Sequence, residues 1–151
     1  MGFFNRKKKE SSVSKTIQQE LIDFVDASGK TQIADDYIRN TIFPNYRIQY
    51  EKAKAVVGII FLAEKDTNSA REKYDYLLKS WVEELDMSEN YQVAPHLHTD
   101  IAFFCGLLAA NNVIPKQDFD NWNLNCLKLA DEAENRFLNR ARENYLKNGN
   151  P

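Results

Sequence analysis

The only two histidines of the chain, His96 and His98, fall within three residues of each other, and Asp100 follows two positions on. Imidazole and carboxylate are good ligands for zinc or iron, and on a helix His96 and Asp100, four apart, project to the same side. His98 then points elsewhere. A centre built on histidines needs more of them, and the chain has none left. A metal-dependent enzyme at His96, His98 and Asp100 is therefore the weakest of three functional expectations. The simpler reading puts Thr99 and Asp100 in the first turn of a helix, where a hydroxyl and an acid suit the positive N-terminal end. No metal or cofactor is expected.

Other chemistry has less support in the sequence. Asp35 with Asp36, and Glu83 with Glu84, are adjacent pairs, and neighbours on a helix point about 100° apart, so neither pair makes a two-carboxylate site. The serines lack the glycine-flanked turn that exposes a nucleophile, and each glycine is isolated, so no phosphate-cradling loop is present. Two cysteines, Cys105 and Cys126, are too few for the disulfide framework of a small secreted domain; they read as reduced, buried thiols of a cytoplasmic protein.

Phe3, Phe4, Arg6, Lys7, Lys8 and Lys9 join two aromatic rings to a basic cluster. That combination can rest weakly on an anionic bilayer, and it gives a second expectation: a peripheral membrane-associated accessory factor at the inner face of the membrane. A myristoylation reading of Gly2 fails, because position six is Arg6 and not Ser or Thr. Residues 1–10 read as a flexible basic arm. Removing them leaves 16 basic and 21 acidic residues, a balance unsuited to phosphate backbones, so nucleic acid is not an expected partner.

The elements that must carry these groups are helices. Hydrophobic residues make up 43% and charged residues 28% of 151 residues, enough for one core and a hydrated surface, while 5 Gly and 4 Pro are too few for the frequent turns of an all-β chain. The longest apolar run, from Ala55 to Ala63, is too short to span a bilayer, so no transmembrane segment is expected. Apolar spacing predicts a first helix from the Ser11 to Ser14 cluster to a stop at Gly29, and a second, short one from Thr31 to before Pro44. A third follows through Val56 to Leu62, where the flanking Tyr46, Tyr50, Ala53 and Val57 favour helix over a buried strand. A fourth has a capping box at Ser69 and Glu72 and an apolar face of Tyr74, Leu77, Leu78 and Trp81. A fifth starts at Pro95, with Ile101 to Ala110 apolar on every side and thus expected at the centre of the fold. The last runs from about Asp118 to about Tyr145, with Arg136 placed to pair with Glu132. The expectation is an all-α single domain, 11–147, built as a bundle or orthogonal array of about six helices, with a disordered tail at 148–151.

Seven tyrosines are more than such a core readily encloses. Tyr76 and Tyr91 fall off the apolar faces, among Glu83, Glu84, Asp86 and Glu89, and exposed tyrosine among acids is typical of protein-binding surfaces. The leading expectation is a non-enzymatic, cytoplasmic protein-binding module, of the bacterial toxin-neutralising (immunity-like) or adaptor kind. It would cover a partner's basic surface through those six residues.

Overall fold

Six α-helices, one of them extended by a π-turn, account for the regular structure in the computed structural model, which describes residues 15–148. No strand occurs among the described residues, so the all-helical expectation holds, including the helical state of the Val56 to Leu62 run. These residues group into two compact units whose boundary falls after Phe61, inside the third helix.

In the first unit, α1 (Ile17–Ala27) is capped by Thr16, whose hydroxyl accepts the Gln19 backbone N–H at 3.1 Å. The serines expected to start it, Ser11, Ser12 and Ser14, lie outside the described residues. It ends as expected at Gly29, which takes φ +73°, a conformation that glycine adopts without steric cost. The second helix, α2 (Thr31–Tyr37), has no side-chain cap. The Thr31 hydroxyl does not cap it and donates to Asp26 at 2.9 Å. The last turn widens to a π-turn, Ile38–Ile42, in which the Phe43 N–H reaches back to the Ile38 carbonyl at 2.9 Å; Ile38 and Ile42 are both buried.

The third helix, α3 (Tyr50–Ala63), buries seven successive residues, Ala53 to Ile59. Tyr46, expected to continue its periodicity, lies before its first turn. Gly58 allows this density, because a Cβ there would stand 2.9 Å from the Leu21 carbonyl oxygen of α1. Lys54 is the one charged residue in the stretch. Its ammonium, 9% exposed, meets Asp26 at 2.7 Å. Burial acts against the Lys54 charge, but the Asp26 hydrogen bond and the nearby Tyr50 and Asp35 outweigh it and hold the pKa above the usual lysine value.

In the second unit, α4 (Thr67–Met87) starts at Asp66, not at the capping box of Ser69 and Glu72. The Asp66 carboxylate accepts the backbone N–H groups of Asn68 and Ser69 at 3.1 and 3.3 Å and the Ser69 hydroxyl at 2.7 Å. A carboxylate prevails over a hydroxyl here because it satisfies two free N–H groups and also opposes the positive helix end. Tyr74, Leu77, Leu78 and Trp81 are buried as the spacing predicts.

The fifth helix, α5 (Leu97–Ala110), departs from expectation more. Its Leu97, Asp100, Ile101, Phe104, Cys105 and Leu108 are buried, but Ala102, Gly106 and Ala110 are exposed. It is a two-sided helix, not an enclosed one. It closes in a Schellman turn: the Asn112 N–H bonds to Ala109 O at 3.0 Å and the Val113 N–H to Leu108 O at 2.9 Å, with Asn112 at φ +60°. Val113 and Leu108 are both fully buried across that turn.

Arg71 of α4 donates to the Val113 carbonyl at 2.8 Å and so fastens α4 to the turn. The last helix, α6 (Lys116–Asn148), starts directly after Pro115 and buries only Cys126, Ala130, Ala133 and Phe137, a narrow stripe of mostly small residues. Between α4, α5 and α6 the core is aromatic: Trp81 meets Phe104 at 5.6 Å between ring centroids, and Tyr74 stacks on Trp122 at 6.3 Å.

Candidate functional site

Of the six expected contact residues, Tyr76 lies at the middle of α4, Glu83, Glu84 and Asp86 near its C-terminal end, and Glu89 and Tyr91 in the loop that follows it. Tyr76 is 52% exposed, and Glu83, Glu84 and Glu89 are exposed as well. Asp86 is engaged within the chain. Arg136 of α6 grips its two carboxylate oxygens through Nε and Nη2 at 2.8 and 2.9 Å, and Arg140 adds a contact at 3.7 Å. That bidentate hydrogen bond outweighs the opposing effect of burial and, helped by the charge of both guanidinium groups, holds the Asp86 carboxyl below its usual range.

Arg140 also donates to the Leu85 carbonyl at 2.7 Å, so α6 supplies a second donor, beside the Ser88 N–H, to a carbonyl in the last turn of α4. Arg136 therefore finds its main partner fifty residues away, and the Glu132 expected to pair with it contributes only a lesser charge effect. These contacts fix where the loop after α4 leaves the helix.

Inside that loop the Ser88 hydroxyl and the Asn90 side-chain oxygen accept backbone N–H groups of Asn90 and Gln92, each at 3.4 Å. Tyr91, half-buried, rests its ring 5.6 Å from that of Phe137. The result is an open cleft of about 580 Å³ between residues 89–92 of the loop and Ala141, Arg142, Asn144 and Tyr145 of α6. Two phenol rings, one carboxylate, one guanidinium and three side-chain amides line it. Met87 and Val93, which bracket the loop in sequence, are 82% and 58% exposed, and Leu146 beside the cleft on α6 is 71% exposed. Glu89 and Tyr91 thus come together with residues that the sequence reading missed. Tyr145 and Arg142 carried no signal, because their place in the cleft depends on a pairing of segments more than fifty positions apart.

His96, His98 and Asp100 do not converge. His96 is exposed at the start of α5, the backbone N–H of His98 donates to a Glu134 carboxylate oxygen at 2.7 Å, and Asp100 is buried in the first turn. Among the described residues no three His, Cys, Asp or Glu side chains are grouped so as to hold a metal ion. Phe3, Phe4, Arg6, Lys7, Lys8 and Lys9 lie outside the described residues, and no described helix is long and apolar enough to cross a membrane.

Charge divides unevenly along the chain. Residues 62–151 carry 15 acidic and 10 basic side chains, against 7 and 10 in residues 1–61, so the acidic excess belongs to the part that holds the cleft. Comparison with known protein families, curated proteins and solved structures finds no match. The arrangement of side chains therefore carries the functional argument.

Proposed function

We propose that the chain is a non-enzymatic protein-binding module of the immunity-like or adaptor kind, which takes a partner with a basic surface through the end of α4, the following loop and α6. The observation that carries this reading is the cleft that joins Glu89 and Tyr91 to Tyr145. A lysine or arginine side chain entering it meets two aromatic rings and a carboxylate, the surroundings that favour a cation at an interface. Arg142 on the same wall gives the partner's backbone carbonyls a donor. Glu83 and Glu84, exposed on α4, add long-range attraction that speeds encounter more than it tightens the complex. Asp86 acts indirectly, through the position it gives the loop.

Panning a random displayed peptide library on the full chain tests the reading. The selected peptides should be enriched in Lys and Arg, and Tyr145→Ala or Glu89→Lys should weaken them by about tenfold or more, as for a central contact. Glu83→Lys combined with Glu84→Lys should mainly slow association and flatten its salt dependence. Peptides with no positive bias, or peptides indifferent to both cleft substitutions, would remove the proposal.

A further inference from the structure

The loop between α4 and α5, residues 88–96, is held at both ends by one short stretch of α6. At its start the hold is the Arg136 grip on Asp86, together with the Arg140 bond to the Leu85 carbonyl. At its end the hold is Glu134. The first turn of α5 has no side-chain cap of its own, and a Glu134 carboxylate oxygen accepts the His98 backbone N–H at 2.7 Å. A carboxylate brought across from another helix thus satisfies one free N–H group of that turn and opposes its positive end. Between the two ends the Tyr91 ring rests on Phe137, and the Arg140 guanidinium lies 5.8 Å from the centre of the same Phe137 ring.

The bonds inside the loop are weaker than those that tie it down. The Asn90 and Gln92 N–H groups reach their side-chain acceptors at 3.4 Å, and the Val93 N–H reaches the Asn90 carbonyl at 3.5 Å. The ties to α6 run from 2.7 to 2.9 Å, and each includes a charged group. Charge-assisted bonds are about twice as strong as neutral ones, so α6 decides where Glu89 and Tyr91 stand. Glu134, Arg136, Phe137 and Arg140 fall within about two turns of α6, directly before the Ala141 to Tyr145 wall of the cleft. Both walls are therefore positioned by one helix.

We propose that Glu134, Arg136 and Arg140 form a two-ended clamp that closes the α4–α5 loop over α6 as a single flap. On the reading that the cleft takes the partner, Glu134 is then a positioning residue for a site it does not line. The flap opens as a unit: release of either end frees Tyr91 from Phe137 and removes most of what the other end held. A preformed cleft spares the partner the entropy of ordering the loop. A chain whose flap is closed only part of the time binds more weakly, in proportion to the closed fraction. Glu134 sets affinity in this way without touching the partner.

Two measurements on the full chain test this. In the free protein, hydrogen exchange is followed at the amides of residues 86–88 and 98–100 in the wild type, Glu134→Ala, Arg136→Ala and the double variant, with the buried middle of α4 as reference. Glu134→Ala should speed exchange at both ends by about tenfold, the worth of one charge-assisted hydrogen bond, and leave the reference unchanged. Asp86→Asn replaces Arg136→Ala where loss of the arginine unfolds the chain. With Lys- and Arg-rich peptides selected on the wild type, either single variant should weaken binding about five- to tenfold, and the double variant little further. Glu134→Gln, which keeps an acceptor oxygen, should restore most of the loss. Exchange that quickens only at the end that was cut, or two substitutions whose effects add, overturns the flap. Peptides that bind the wild type but ignore Glu134→Ala overturn the positioning role. A wild type that selects no basic peptide removes the reading of the cleft instead, and hydrogen exchange alone then decides the flap.

Discussion

Two helices of fourteen residues, α3 and α5, look alike as text: each is an apolar run with one glycine near its middle, and each belongs largely to a different unit. Their surroundings differ. In α3 seven successive residues are buried, so no face of that stretch is open. In α5 burial recurs every three to four positions, and Ala102, Gly106 and Ala110 look outward. The distinction follows from side-chain size. Gly58 lets α1 come so near that a Cβ there would stand 2.9 Å from the Leu21 carbonyl oxygen, whereas Phe104 and Ile101 give α5 one thick buried side. The apolar content of a run reports how much can be buried; it does not report from how many directions neighbours arrive.

The sharpest way to break this comparison is to cut the aromatic side of α5. Phe104→Ala should cost about 3–5 kcal/mol, the usual loss for an enclosed phenylalanine, and its half-exposed neighbour Phe103→Ala less than half as much. Urea unfolding of both variants decides it, and equal losses would mean that α5 is not two-sided. Next come the glycines. Alanine has the better helix propensity at both positions by about 1 kcal/mol. At Gly58 the clash with backbone should reverse that gain to a net loss of about 1–3 kcal/mol. Gly106, with nothing within 4 Å of a Cβ, should show a gain of about 0.5–1 kcal/mol. Changes of the same sign at the two positions would end the contrast.

The smallest effect concerns the charge that α3 encloses. Hydrogen bonds from Lys54 and Thr31 hold the Asp26 carboxyl below its ordinary value. Its contribution to stability is thus complete above the unfolded carboxylate pKa, about 4, and is lost as the pH falls through the lower folded value. Asp26→Asn should show a flatter decline in stability below about pH 4 than the wild type. Superimposable acid-unfolding curves would show that Lys54 does not depend on this partner.

How much of this the sequence revealed depended on the range of the interaction. Periodicity located all six helices and the buried face of α4, and Gly29 and Pro44 marked helix ends, because each of these is decided within a few residues. The cap of α4 was misplaced by three residues, since Asp66 and Ser69 both suit the role and the choice rests on geometry. The π-turn left no mark in the residue pattern. At the candidate site, Tyr76, Glu83, Glu84 and Glu89 were readable as exposed because they fall off the apolar face. The grip of Arg136 on Asp86 and the cleft wall of Tyr145 were not, because contacts across fifty positions carry no local period.

The five residues from Asn111 to Pro115 join α5 to α6, and so short a connection costs little chain entropy to close. Arg71 must instead reach Val113 across 42 positions, and Arg136 must find Asp86 across 50. Order of assembly follows from that inequality: the α5–α6 hairpin is the cheapest nucleus of the second unit, and α4 docks on it later. The loop wall of the cleft, tied down only once α4 has arrived, is then among the last parts to form and among the first to open by local unfolding. A partner that seats there would be felt as slower hydrogen exchange at the end of α4 well before any change in the hairpin.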